Sequence, residues 1–181
     1  MLKYLPTQAF PRINFLYFFR HECNNFASKS VVAMAETLGM LCDKLTIVKL
    51  KQYHSEDTER LASLDKQASQ LQEEINSYIS DAVTGIIPAE KLTFAANKVF
   101  KKEGNETALV EGTIAQLFYQ LADVNCRLWH EVEKGYEIEN VPVAAKDALV
   151  KTLAVLNLER NKCIDAIDLG FQSVISKQNN P

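Results

Sequence analysis

Three helix-spaced sets of polar residues mark where this 181-residue chain could do chemistry. Asp43, Ile47, Leu50, His54 and Asp57 follow one another by steps of four and three, which would set two acids and a histidine along one helix face beside the core. Leu153, Asn157, Arg160, Ile164 and Asp168 repeat the arrangement, with Asn161 and Asp165 one step round. Asn125, Trp129 and Val132 form the third set, flanked by His130, Glu131 and Glu133. A face built only for packing keeps charge away, so these positions read as a polar cleft shared by three helices. Arg160 and Lys49 would hold the phosphate of a phosphorylated or nucleotide-linked ligand, the guanidinium as a planar fork and the ammonium as a point charge. Were the cleft catalytic, His54 with Asp57 would be its acid/base pair. Asp43, Asn125, Trp129, Asn157, Asn161 and Asp165 complete the expected ligand-binding set.

Other chemistries compete for the same residues. His54 with Asp57, His130 with Glu133 and Asp165 with Asp168 have the i,i+3 spacing that lets two side chains reach one ion. A di-iron bundle, however, needs a Glu-x-x-His pair on each of two helices plus a glutamate on each of the others, and that order is not met here. Gln72-Glu73-Glu74 with Asp165-x-x-Asp168 echoes the acid clusters by which all-helical pyrophosphatases hold magnesium, but the helix-two acids point away from its apolar stripe. No metal site is assigned and no cofactor is implied. The non-functional reading is a buried network in which Asp43 or Asp57 neutralises Arg160, and Asn157 or Asn161 satisfies helix ends. In the segment KLTFAANKVFKKEGN, Lys91, Lys98, Lys101 and Lys102 alternate with Phe94 and Phe100. A solvated basic loop with its phenylalanines tucked inward outweighs a nucleotide clamp there.

Four amphipathic helices must position these groups. Leu38, Leu41, Leu45 and Val48 give helix one a stripe within Glu36–His54. Leu61, Leu64, Ala68, Leu71, Ile75, Tyr78 and Ala82 give helix two an unbroken alternation of three and four, coiled-coil-like, ending before Gly85. A connection of about 27 residues follows, with a short helix after Pro88 and an extended piece around Leu92–Lys102. Helix three opens at Thr113, runs to about Tyr136 and buries Leu117, Leu121, Val124, Leu128 and Val132. Pro142 starts a fourth running to about Lys177, with Leu149, Leu153, Leu156, Ile164 and Ile167 inward. The expected fold is all-α, an elongated four-helix bundle with one long crossover connection between helices two and three.

Composition narrows the function classes. With 20 Lys+Arg against 23 Asp+Glu, the surface lacks the basic field that a general nucleic-acid binder needs. No apolar run approaches the roughly 20 residues that span a bilayer. Cys23, Cys42, Cys126 and Cys163 are too scattered for a zinc or disulfide framework, and as free core thiols they suit a cytoplasmic location. Residues 1–33 hold seven of the sixteen aromatics and a single acid, Glu22. They read as an extension, poorly structured or loosely docked, ahead of one bundle domain over 34–181. Met34, directly before the periodic helix, reads as the alternative start.

Three stretches also resemble a bacterial family, the domain-of-unknown-function 4254 family. They are TLGMLCDKLTIVKLKQYHSED at 37–57, NCRLWHEVEKGYE at 125–137 and LAVLNLERNKCIDAID at 153–168. The likeness covers about Met34 to Phe171 and rests on Asp43, Lys44, Leu45, Lys49 and His54, then Leu156, Asn157, Arg160, Asn161, Ile164 and Asp165. It implies no established activity. It does imply a cytoplasmic protein found beside surface-polysaccharide or lipopolysaccharide assembly functions. Together the readings lead to an accessory protein binding a phosphorylated ligand in a polar cleft. The alternatives are a non-catalytic module that forms a homodimer or docks a glycosyltransferase-type partner, and a metal-dependent hydrolase.

Overall fold

The computed structural model describes residues 35–94 and 107–179. The expected extension over 1–33 lies outside the described residues, as do Lys98, Phe100, Lys101 and Lys102. Among the described residues the fold is all-α, with α1 Leu38–Tyr53, α2 Thr58–Val83, α3 Ile114–Tyr136 and α4 Val143–Asn179. No strand occurs among them, and the short helix after Pro88 is one 3-10 turn, Ala89–Lys91.

Each start is written locally. The Thr37 hydroxyl accepts the Met40 N–H at the head of α1, and the Asp57 carboxylate accepts the Arg60 N–H at the head of α2. Thr113 and Gln116 form a reciprocal capping box on α3. Pro142 immediately precedes α4, where its missing N–H is no loss. Gly85, at φ 76°, takes the left-handed conformation that stops α2.

The apolar stripes meet in one core. Leu41, Leu121, Ile167, Ile175 and Tyr78 are almost wholly buried, while Val132 and Leu153 at the stripe ends stay half-exposed. Contacts of Gly39 with Ile164 and of Asp43 with Arg160 set α1 antiparallel to α4. Gly170 beside Leu117 and Gly135 beside Leu153 do the same for α3. Helix α1 touches the other three helices, whereas α2 lies chiefly on α1, its far end reaching α4 through the Tyr78 and Phe171 rings. The stripe of α2 that suggested a coiled coil is turned inward, with Leu64, Ala68, Leu71, Tyr78 and Ala82 all buried. No helix among the described residues is long and apolar enough to cross a membrane.

Where α1 meets α4, the buried Asp168 carboxylate accepts the Gly39 N–H at 2.7 Å and the Thr37 hydroxyl, so one helix caps another from 129 residues away. Burial pushes its pKa from 3.8 up to about 6; the Thr37 and Gly39 bonds oppose the shift, and the charge of Asp165 adds to it. Because the folded-state value is raised, Asp168 contributes stability that is complete below its ordinary pKa and is lost as pH rises through about 6. Asp168→Asn removes that titration. Thermal melts should therefore show the variant gaining on the parent by roughly 5 °C between pH 4 and pH 7, the shift about 1–2 kcal/mol gives a domain of this size. A constant difference across that range would contradict the assignment.

Candidate functional site

Of the polar residues that the sequence singles out, Asn125 of α3 and Arg160 of α4 converge on Asp43 of α1, which is 4% exposed. Arg160 donates from Nε to Oδ1 at 2.8 Å and from Nη2 to Oδ2, a fork-on-carboxylate pair. Asn125 donates from Nδ2 to the same Oδ1 at 2.9 Å and to the Thr46 hydroxyl at 2.6 Å. Thr46 in turn donates to the Asp43 carbonyl. The bond to Asp43 raises the pKa of Arg160 above the usual guanidinium value, against the effect of burial. One atom is left over: Asn125 Oδ1 is buried and accepts nothing among the described residues.

Outside this network a groove of about 460 Å³ runs between α1 and α2. Asp43 and Arg160 form its floor on one side, and Ile47, Val48 and Leu71 give it an apolar base. Lys44 and Lys51 project from α1, seven residues apart and so on one helix face. Gln67, Gln70 and Glu74 face them from α2, and Glu36 closes one end by pairing with Lys44. Arg160 spends Nε and Nη2 on Asp43, while its Nη1 makes no hydrogen bond among the described residues. The carboxylate therefore fixes the guanidinium plane and leaves one N–H edge for something else.

A second cluster ties the end of α1 to α3. The His54 ring stacks on Trp129 with centroids 5.0 Å apart and meets His130 edge-on at 5.9 Å. Glu133 accepts from the Trp129 indole at 2.7 Å and contacts His130 Nδ1 at 3.1 Å. These bonds, that to His130 first, hold the Glu133 carboxyl below its ordinary value. Glu133 thus serves both the Trp129 indole and His130 Nδ1, while His54 joins the cluster through its ring faces and edges.

The expected site residues thus separate. Asp43, Asn125 and Arg160 form one centre; His54 and Trp129 form another. Asp57 gives its carboxylate to the α2 N-terminus, with no bond to His54. Lys49 lies on a different face of α1, bonded to Gln52 and lining an apolar depression of about 690 Å³ with Leu45, Leu50, Tyr53 and Ala122. Asn157 donates to the Leu153 carbonyl of its own helix, Asn161 is half-buried, and Asp165 contributes charge beside Asp168. Among the described residues no three His, Cys, Asp or Glu side chains converge as metal ligands. Cys42 and Cys163 are held as thiols, their pKa values pushed up by burial to about 12 and about 11.

Sequence reasoning passes over Lys51, Gln67 and Gln70, which look like ordinary surface residues, and meets Lys44 only in the family resemblance; the i,i+7 spacing of the two lysines is the available signal. It also passed over Glu159, buried at 6% and paired with Arg127 at 2.5 Å. No family model, no curated protein and no solved structure matches the chain.

Proposed function

We propose that this protein binds a small phosphorylated ligand in the groove between α1 and α2. The observation that carries the reading is the Asp43–Arg160 pair: a guanidinium locked in place by a buried carboxylate, with Nη1 uncommitted in a groove that Lys44 and Lys51 also line. A preorganised donor loses little freedom on binding an oxyanion. Among the described residues the groove lining has no aromatic side chain to stack a nucleobase, which favours a phosphorylated sugar or similar polar compound over a nucleotide. The family resemblance adds a place for such a ligand in surface-polysaccharide assembly in the cytoplasm.

The test is isothermal titration with glucose 6-phosphate and inorganic phosphate. Lys51→Gln should weaken both by about tenfold, the loss of one charge-assisted contact, and lower the melting temperature by no more than about 3 °C, because among the described residues Lys51 has no ion-pair partner and loses only its charge at the α1 C-terminus. Equal binding by parent and variant would overturn the groove as the site.

A second reading, a non-catalytic module, is favoured by a separate observation. Tyr53 and Tyr119 are 85% and 75% exposed, and Tyr53 borders the apolar depression between α1 and α3. Such a face suits a second copy of the chain or a glycosyltransferase-type partner.

A further inference from the structure

The ring cluster at the end of α1 joins two helices through a residue that can change its charge. His54 is the C-cap of α1 and lies on the surface, and its ring nitrogens make no hydrogen bond among the described residues. They exchange protons with water directly. The flat face of the ring lies on the Trp129 indole of α3, 5.0 Å between centroids and 16° between planes. With His54 neutral this is a stack of two rings. With His54 protonated it is a cation over indole, the aromatic face that attracts cations best.

The surroundings decide whether the charged contact is the stronger one. The carbonyls at the end of α1 give that terminus a partial negative charge. Glu133 of α3 is held below the usual carboxylate range, by His130 and Trp129 first, so it stays ionised, and the charge of His54 adds to the effect. Against these stand His130, whose ring meets His54 edge-on at 5.9 Å, and Lys51 in the last turn of α1. His130 faces Glu133 at 3.1 Å, which offsets its charge. Tyr53 adds only a ring edge, at 5.2 Å. In the turn that follows, Asp57 is spent on the α2 N-terminus and Glu56 is exposed. On α4, the antiparallel register set by Asp43 and Arg160 puts Lys151 within about one turn of the level of His54.

We infer that His54 is a pH-sensitive latch. Protonated, it clamps the C-terminal end of α1 to α3 through Trp129; deprotonated, it lets that end and the turn into α2 loosen. The latch acts whether or not the α1–α2 groove holds a ligand.

Trp129 is the one tryptophan of the chain, so its fluorescence reads the contact, because a histidinium against the indole face quenches emission. Titrating the full chain from pH 8 to pH 5 should lower emission by about half in the parent and leave it within about 10% in His54→Gln. His130→Gln should keep the fall. Amide exchange tests the clamp itself. Protection of Leu50–Tyr53 should be about fivefold greater in the parent than in His54→Gln at pH 5, and within about twofold at pH 8. Asp168 titrates in the same range but acts alike in both proteins, so it cancels in the comparison. Constant emission in the parent, or a fall that survives His54→Gln, would overturn the charged contact. A fall in emission with equal protection in parent and variant at pH 5 would overturn the latch.

Discussion

Arg160→Ala should destabilise the fold by about 3–5 kcal/mol, because it leaves the Asp43 carboxylate buried with only Asn125 to meet its charge. Asp43→Ala should cost less, roughly 2–3 kcal/mol. The asymmetry follows from exposure: the Arg160 side chain is 30% accessible and that of Asp43 only 6%, so an orphaned guanidinium can turn to water through the groove and an orphaned carboxylate cannot. The combination Asp43→Leu with Arg160→Met removes both charges at similar volume and should recover most of the loss. Urea denaturation of the single and double variants measures all of this. An Arg160→Ala effect under about 1 kcal/mol, or single effects that simply add, would show that the pair is not the buried unit described. Loss of ligand in Arg160→Ala would confound binding with folding, which makes Lys51 the better probe of the groove.

Gly39→Ala should be the most damaging small substitution in α1. An added Cβ would lie 2.6 Å from the Ile164 carbonyl oxygen and 3.0 Å from Asp168 Oδ1. The first is backbone on a helix that cannot yield locally, so α1 must lift from α4 and stretch the Asp168 cap. Alanine's better helix propensity returns only ~1 kcal/mol, against an overpacking cost of about 2–3 kcal/mol with the cap weakened as well. Gly135→Ala is the control: its Cβ would meet nothing nearer than Leu153 at 4.0 Å, so propensity should win and the variant should be more stable. Opposite signs in thermal or chemical denaturation are expected; a stabilising Gly39→Ala would mean that α1 and α4 do not cross as closely as described.

The helices were legible because their stripes are long and strictly periodic. The spacing predicts helix one over Glu36–His54, where the structure has Leu38–Tyr53, and helix four from Pro142 to about Lys177, where it has Val143–Asn179. Periodicity also exposed Asp43, Asn125 and Arg160, since a charge on a packing stripe is conspicuous whatever it meets. It could not say which helix each face would meet. Lys49 and Lys51 lie two residues, about 200°, apart on α1, and only the tertiary arrangement sends Lys51 to the groove and Lys49 to the opposite depression. The Asp168 cap was hidden for the same reason, its partner Gly39 being separated by most of the chain and chemically silent as a residue type. His54 and Asp57 looked like a pair by spacing; the helix ends between them, and a turn redirects Asp57 to start α2.

The unequal attachment of the two groove walls has a mechanical consequence. Among the described residues helix α1 is clamped by three neighbours, whereas α2 lies chiefly on α1, with a further anchorage on α4 at the Tyr78 end. The groove is thus a jaw with one fixed side and one hinged side. A ligand of the proposed kind would bridge the two, so its occupancy and the docking of α2 would share one free energy: binding would slow amide exchange along Thr58–Leu71, and a stabilising contact at the α1–α2 seam would tighten binding in equal measure.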